Sequence, residues 1–217
     1  MVPRAATQVN TEDKLMFMKD FTRLSTEFAL VAPRLPLVVP APVVGGIVAG
    51  TLLETETGWR SVDSLRIGDR VHTLDGGLSR ILALDRRSLA QQAESALIRV
   101  PGGLYDACSD LMLVPGQHVL IDTLGDANLA PAPFVLVPAM ALTSDPLIRR
   151  DFPDGKVDII TPLFAEEEVV FANSGVLLHC PSVIDGAGRY PDDSFFTRLD
   201  AASARAFLSR RATRLAA

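Results

Sequence analysis

Between Gly46 and Pro181 the apolar residues arrive only in short runs, and each run is closed by Gly, Pro, Asp or Ser: ALIRV, DLMLV, HVLID, FVLVP, VDIIT, EEVVFA, GVLLH. Strands half-buried against a core need this pattern. A helix needs a longer stretch with a 3.6-residue period, and none is found in this span beyond a single turn at Pro138–Leu142. Asp75-Gly76-Gly77 lies between two alternating segments, a hairpin signal. Glycine and proline, 15 of each, fall between the runs rather than inside them. The span is therefore expected to be all-β.

The flanks have a different texture. Thr11, Glu12 and Asp13 suit a helix start, and Leu15, Met18, Phe21, Leu24 and Phe28 recur at helical spacing, so a helix is expected over residues 12–30. PRLPLVVPAP then reads as an extended linker. The greasy stretch from Phe28 to Leu53 contains Pro33, Pro36, Pro40, Pro42 and Arg34, which a membrane-crossing helix could not absorb. Toward the other end, Phe196, Leu199, Ala206 and Phe207 share one helical face, with Arg198, Arg205, Arg210, Arg211 and Arg214 around them. An amphipathic, Arg-rich helix is expected over residues 194–217. The division expected is 1–45 tail, helix and linker, 46–181 β domain, and 182–217 linker and basic helix.

A net charge of −5 argues against a nucleic-acid-binding domain. Two cysteines, Cys108 and Cys180, are too few for a disulfide scaffold, although sequence leaves a single bridge between them open. The polar first residues do not read as a signal peptide, so the expected location is the cytoplasm. His72, His118 and His179 lack ligand spacing with each other or with the cysteines, so no metal or cofactor is expected.

The stretch AGTLLETETGWRSVDSLRIGDRVHTLDGG resembles the opening block of hedgehog/intein (Hint) domains, with Gly50-Thr51, Val62, Leu65, Gly68-Asp69 and Val71 at the family's motif positions. IRVPGGLYDACSDLMLVPGQHVLI, FVLVPAMAL and EEEVVFANSGVLLHC are similar, in the same order, to later segments of bacterial members. The resemblance implies a horseshoe-like all-β fold and self-cleaving chemistry. A Cys or Ser at the first position attacks the preceding carbonyl, a Thr-x-x-His unit activates that peptide, and a closing His assists release at the far end.

On this chain the nucleophile's position falls on Gly46, which has no side chain to attack with. His118 matches the activating His only with a one-residue insertion, and Val114 then stands where the hydroxyl belongs; without the insertion Gln117 takes the His position. His179 sits at the closing His, with Cys180 directly after it and no cyclising Asn. Glu167 replaces a further family His, and Asn173-Ser174 follows Ala172, which offers no proton transfer. The expected function is a degenerate Hint domain serving as a structural or protein-interaction module with an unidentified protein partner. One alternative is residual self-cleavage through His118, His179 and Cys180. A second is an adaptor using the basic tail on a membrane or nucleic acid.

Overall fold

The computed structural model describes residues 45–89, 96–125, 130, 132–186 and 194–216. The helix expected over 12–30 and the Pro-rich linker lie outside the described residues. Those described form two antiparallel sheets around a shared apolar core, as the punctuated sequence predicts.

The first sheet holds six strands. β1 (Ile47–Val48) lies between β8 (Leu111–Leu113) and β12 (Val157–Leu163); β7 (Leu97–Val100) and β11 (Arg149–Asp151) extend one side, and β6 (Ala83–Leu89) closes the other. β12 is the spine: β6 pairs along its whole length, Leu163↔Ala83 to Val157↔Leu89, and Ile47↔Ile160 places β1 on its opposite edge. Carried one step further, that register sets Gly46 across from Thr161.

The second sheet runs β10 (Phe134–Pro138), β9 (His118–Asp122), β14 (Val176–Cys180), β13 (Glu168–Ala172), β2 (Leu52–Thr55), β4 (Arg70–Thr73), β5 (Gly77–Arg80), with β3 (Gly58–Ser61) paired to β2. The expected hairpin is the β4–β5 connection, closed at Thr73↔Gly77. The motif residues Val62, Leu65 and Val71 are all fully buried. The Gly-Asp pair is structural: Asp69 accepts from Arg60 (2.9 Å) and from the Arg66 amide (3.0 Å), tying the turn together.

The single helical turn is α1 (Ala139–Leu142), and the C-terminal helix is α2 (Ala201–Leu215). The helix starts later than its apolar face suggested. Asp200 caps it, accepting from the amides of Ala202 (2.9 Å) and Ser203 (2.7 Å), and residues 194–199 are not helical. Ala204, Phe207 and Leu208 of α2 are buried in the main core, and Arg211 Nε donates to the Asp122 carbonyl at 3.0 Å. The tail is thus docked on its own domain. Among the described residues no helix is long and apolar enough to cross a membrane.

Candidate functional site

Gly46 enters β1 with φ +137°, and a Cβ placed on it would lie 2.5 Å from Ile159 Cγ2 and 2.8 Å from Thr161 Oγ1. Real Cβ atoms do not approach other atoms so closely. The position therefore lacks a nucleophile and also lacks the space to hold one. Ile159 belongs to a small buried cluster with Val48, Leu97 and Val114. Val114, expected at the hydroxyl position under the one-residue insertion, is a packing residue in the same cluster as the Ile159 that fills the space beside Gly46.

The peptide joining Gly45 to Gly46 is held at both polar atoms. The Gly46 amide donates to Gln117 Oε1 at 2.8 Å, and Arg87 NH2 donates to the Gly45 carbonyl at 3.0 Å. Arg87 is steadied by Asp85, whose carboxylate lies 2.8 Å from its Nε. The side chain that reaches Gly46 is therefore Gln117, at the end of a turn closed by its own amide on the Val114 carbonyl (2.9 Å). Its Nε2 donates to the carbonyls of His179 (2.8 Å) and His118 (3.0 Å). One buried carboxamide thus ties the peptide before Gly46 to the carbonyl of the His179–Cys180 bond. The resemblance sets its nucleophile position and its closing His at these two places. A small cavity touches Gly46, Gln117, Thr161, His179 and Cys180.

His118 and His179 sit side by side, with ring centroids 6.5 Å apart and nearly perpendicular planes. His118 does not join the lining of the Gly46 cavity. Burial, with the positive Arg198 and the neighbouring His179, brings its pKa down to about 4. His179 Nε2 lies 3.0 Å from Glu167 Oε2 and 3.0 Å from Arg198 NH2. Only one of these can be a hydrogen bond at a time. An Nε2–H directed at the carboxylate is electrostatically favoured, because a lone pair there would face negative charge. Burial lowers the His179 pKa, the Glu167 hydrogen bond works against that, and Arg198 lowers it further.

Glu167 is the hub of this corner. Burial pushes its carboxyl up, but hydrogen bonds from His179, Ser194 and the Phe195 amide outweigh that and hold it down at about 2. Arg198 NH2 adds a bond of 2.8 Å. Cys180 is fully buried, and burial pushes its thiol far up, away from the reactive thiolate. Cys108 is exposed, and both thiols are free. Asn173, in the β13–β14 turn at φ +43°, has its carboxamide engaged by the Leu52 amide (3.0 Å), Ser109 Oγ (3.2 Å) and the Asp110 carbonyl (3.3 Å). Among the described residues no three His, Cys, Asp or Glu side chains gather as a metal site.

The structure therefore brings Gly46 and His179 to one cavity through Gln117. It sets His118 beside His179, outside the cavity lining, and places Glu167 and Arg198 against His179 Nε2. Gln117 was legible only as the ungapped alternative to His118. Arg87 and Arg198 carried no local signal, because their partners lie far away in the sequence.

The family pattern described as "Hint domain" matches residues 46–182. No curated protein matches the chain. Among solved structures, a bacterial intein-like domain from Clostridium thermocellum is 15% identical, covering 62% of this chain and 98% of its own, at TM-score 0.40. The AceL NrdHF class 3 split intein is 12% identical, covering 64% and 98%, at TM-score 0.41. The gp41-1 intein is 10% identical, covering 61% and 98%, at TM-score 0.38.

Proposed function

The chain belongs to the Hint domain family, and from that premise we propose that it is a non-processing member, a structural or protein-interaction module that cuts neither junction. The observation that carries this reading is the closed space at Gly46, where Ile159 and Thr161 occupy the volume a nucleophilic side chain needs. The opening junction keeps its peptide ordered through Gln117 and Arg87, but a carboxamide does not exchange protons as an imidazole does. At the closing junction, His179 is committed to Glu167, and Cys180 is read as core filler. His118 is read as a packed neutral imidazole.

In this reading residues 46–181 are the family's module, and the basic tail serves as its cover rather than as a membrane or nucleic-acid adaptor. The burial of Phe207 and Leu208 supports this. Two free thiols suit a reducing cytoplasm.

The test is the intact mass of the purified chain after long incubation, with and without added thiol. The mass is expected to stay that of the full chain in both. A product beginning at Gly46, or one ending at His179, would show that processing survives.

A further inference from the structure

Ahead of the C-terminal helix, residues 197–199 lie along the outer edge of β10. The Leu136 amide donates to the Thr197 carbonyl at 2.8 Å, the Leu199 amide donates to the Leu136 carbonyl at 3.0 Å, and Leu136 and Arg198 are parallel bridge partners. β10 is the terminal strand of its sheet, so this edge would otherwise present unpaired backbone groups.

Side chains two apart turn inward. Ser194 Oγ bonds both oxygens of Glu167 (2.8 and 2.9 Å). Phe196 is buried with Leu120, Leu136 and Val169, edge-on to His179 at 6.3 Å. Arg198 NH2 bonds Glu167 Oε2 at 2.8 Å. The intervening Phe195 is 80% exposed. Backbone pairing at a sheet edge, with pockets for alternate side chains, is how a domain reads an extended peptide. The tether contributes effective concentration, and the contacts themselves belong to the groove.

We infer that the β10 edge, the apolar pocket under Phe196 and the Glu167 carboxylate form a peptide-binding site, filled here by the chain's own tail. Its ligand class is an extended segment with a hydroxyl, an aromatic ring and a guanidinium at successive alternate positions. The inference does not rest on the junctions being inert. Peptide uptake reads the groove and intact mass reads the junctions, so either can fail alone.

The test uses the full chain with a protease recognition sequence inserted between Gly186 and Ser194, cut after folding. A fluorescent peptide spanning residues 194–216 is then added in excess, and its uptake is followed by anisotropy. The wild-type peptide is expected to exchange into the groove. Peptides with Arg198→Ala or Phe196→Ala are expected to bind at least tenfold more weakly. Glu167→Gln in the body should shrink the difference between wild-type and Arg198→Ala peptides. Equal uptake of all three peptides would mean that α2 alone docks the tail, and the inference falls. It falls equally if no peptide enters, whether the cut segment stays locked in place or leaves a groove that then closes.

Discussion

Replacing Gly46 by Cys supplies the atom the family uses as its nucleophile, yet the structure predicts damage rather than activity. An L residue held at φ +137° costs about 1–3 kcal/mol in backbone strain. Forcing a Cβ to within 2.5 Å of Ile159 Cγ2 and 2.8 Å of Thr161 Oγ1 adds the overpacking cost, again about 1–3 kcal/mol. Together the variant should lose about 2–6 kcal/mol, which for a domain of this size lowers Tm by roughly 4–24 °C. Thermal and urea denaturation measure the loss, and intact mass reads any cleavage. Combining Gly46→Cys with Ile159→Ala separates the two causes. Relief of the clash should make the double variant more stable than the summed single losses by about 1 kcal/mol or more, while the φ strain persists. The reasoning is refuted if Gly46→Cys melts with the wild type, or if it cuts itself before residue 46.

Gln117→Ala leaves the Gly46 amide and the His179 carbonyl without their buried partner and should cost about 2–5 kcal/mol by urea denaturation; a loss under 1 kcal/mol would mean the bridge is dispensable. Stability should also fall in acid, in two steps. With a folded pKa near 4 against an ordinary 6.5, His118 stays neutral while the unfolded chain protonates, so its contribution is complete above about pH 6.5 and is lost as pH falls toward 4. That amounts to about 3 kcal/mol, and His118→Asn should remove this share, leaving the part that His179, also lowered by burial, contributes in the same range. Glu167, held near 2, contributes above about pH 4.5 and loses its contribution as pH falls toward 2, so this lower step should survive in His118→Asn. Phe207→Ala should cost about 3–5 kcal/mol in the same denaturation assay, and a loss under 1 kcal/mol would show that α2 is not part of the core.

The strands were legible because turn residues cut the apolar runs to strand length, and the β4–β5 hairpin was legible from its glycines. β11 was not, since Arg149-Arg150-Asp151 has no apolar signature and is a strand only because the edge of β7 is there to pair with. Residues 194–199 were read as helix because Phe196 and Leu199 fit a helical face as well as an extended one. The open edge of β10 and the cap at Asp200 decided between the two. The site was half legible. An absent nucleophile is visible in a sequence, but the filling of its space by Ile159 is a contact between residues more than a hundred apart. Gln117 as a bridge was hidden for the same reason, since a buried carboxamide has no local pattern and its partners lie 71 and 62 positions away.

The departures from the family's chemistry are physically coupled, which bears on how firmly the site is closed. Val114 and Ile159 pack in one cluster, and Ile159 occupies the volume at Gly46. A hydroxyl at 114 would thus enter an apolar cluster, where a polar group without a partner costs free energy. A side chain at 46 would strike Ile159. An imidazole at 117 would have to replace a carboxamide that meets one donor and two acceptors at once, which a single ring cannot do. Each such substitution taken alone is expected to destabilise, and the benefit of any one depends on the others being present. On the proposed reading, no single one of these substitutions is expected to yield processing, which intact mass of the single variants checks. Ile159 is the residue to relieve first, because the space at Gly46 is the condition on which the other changes depend.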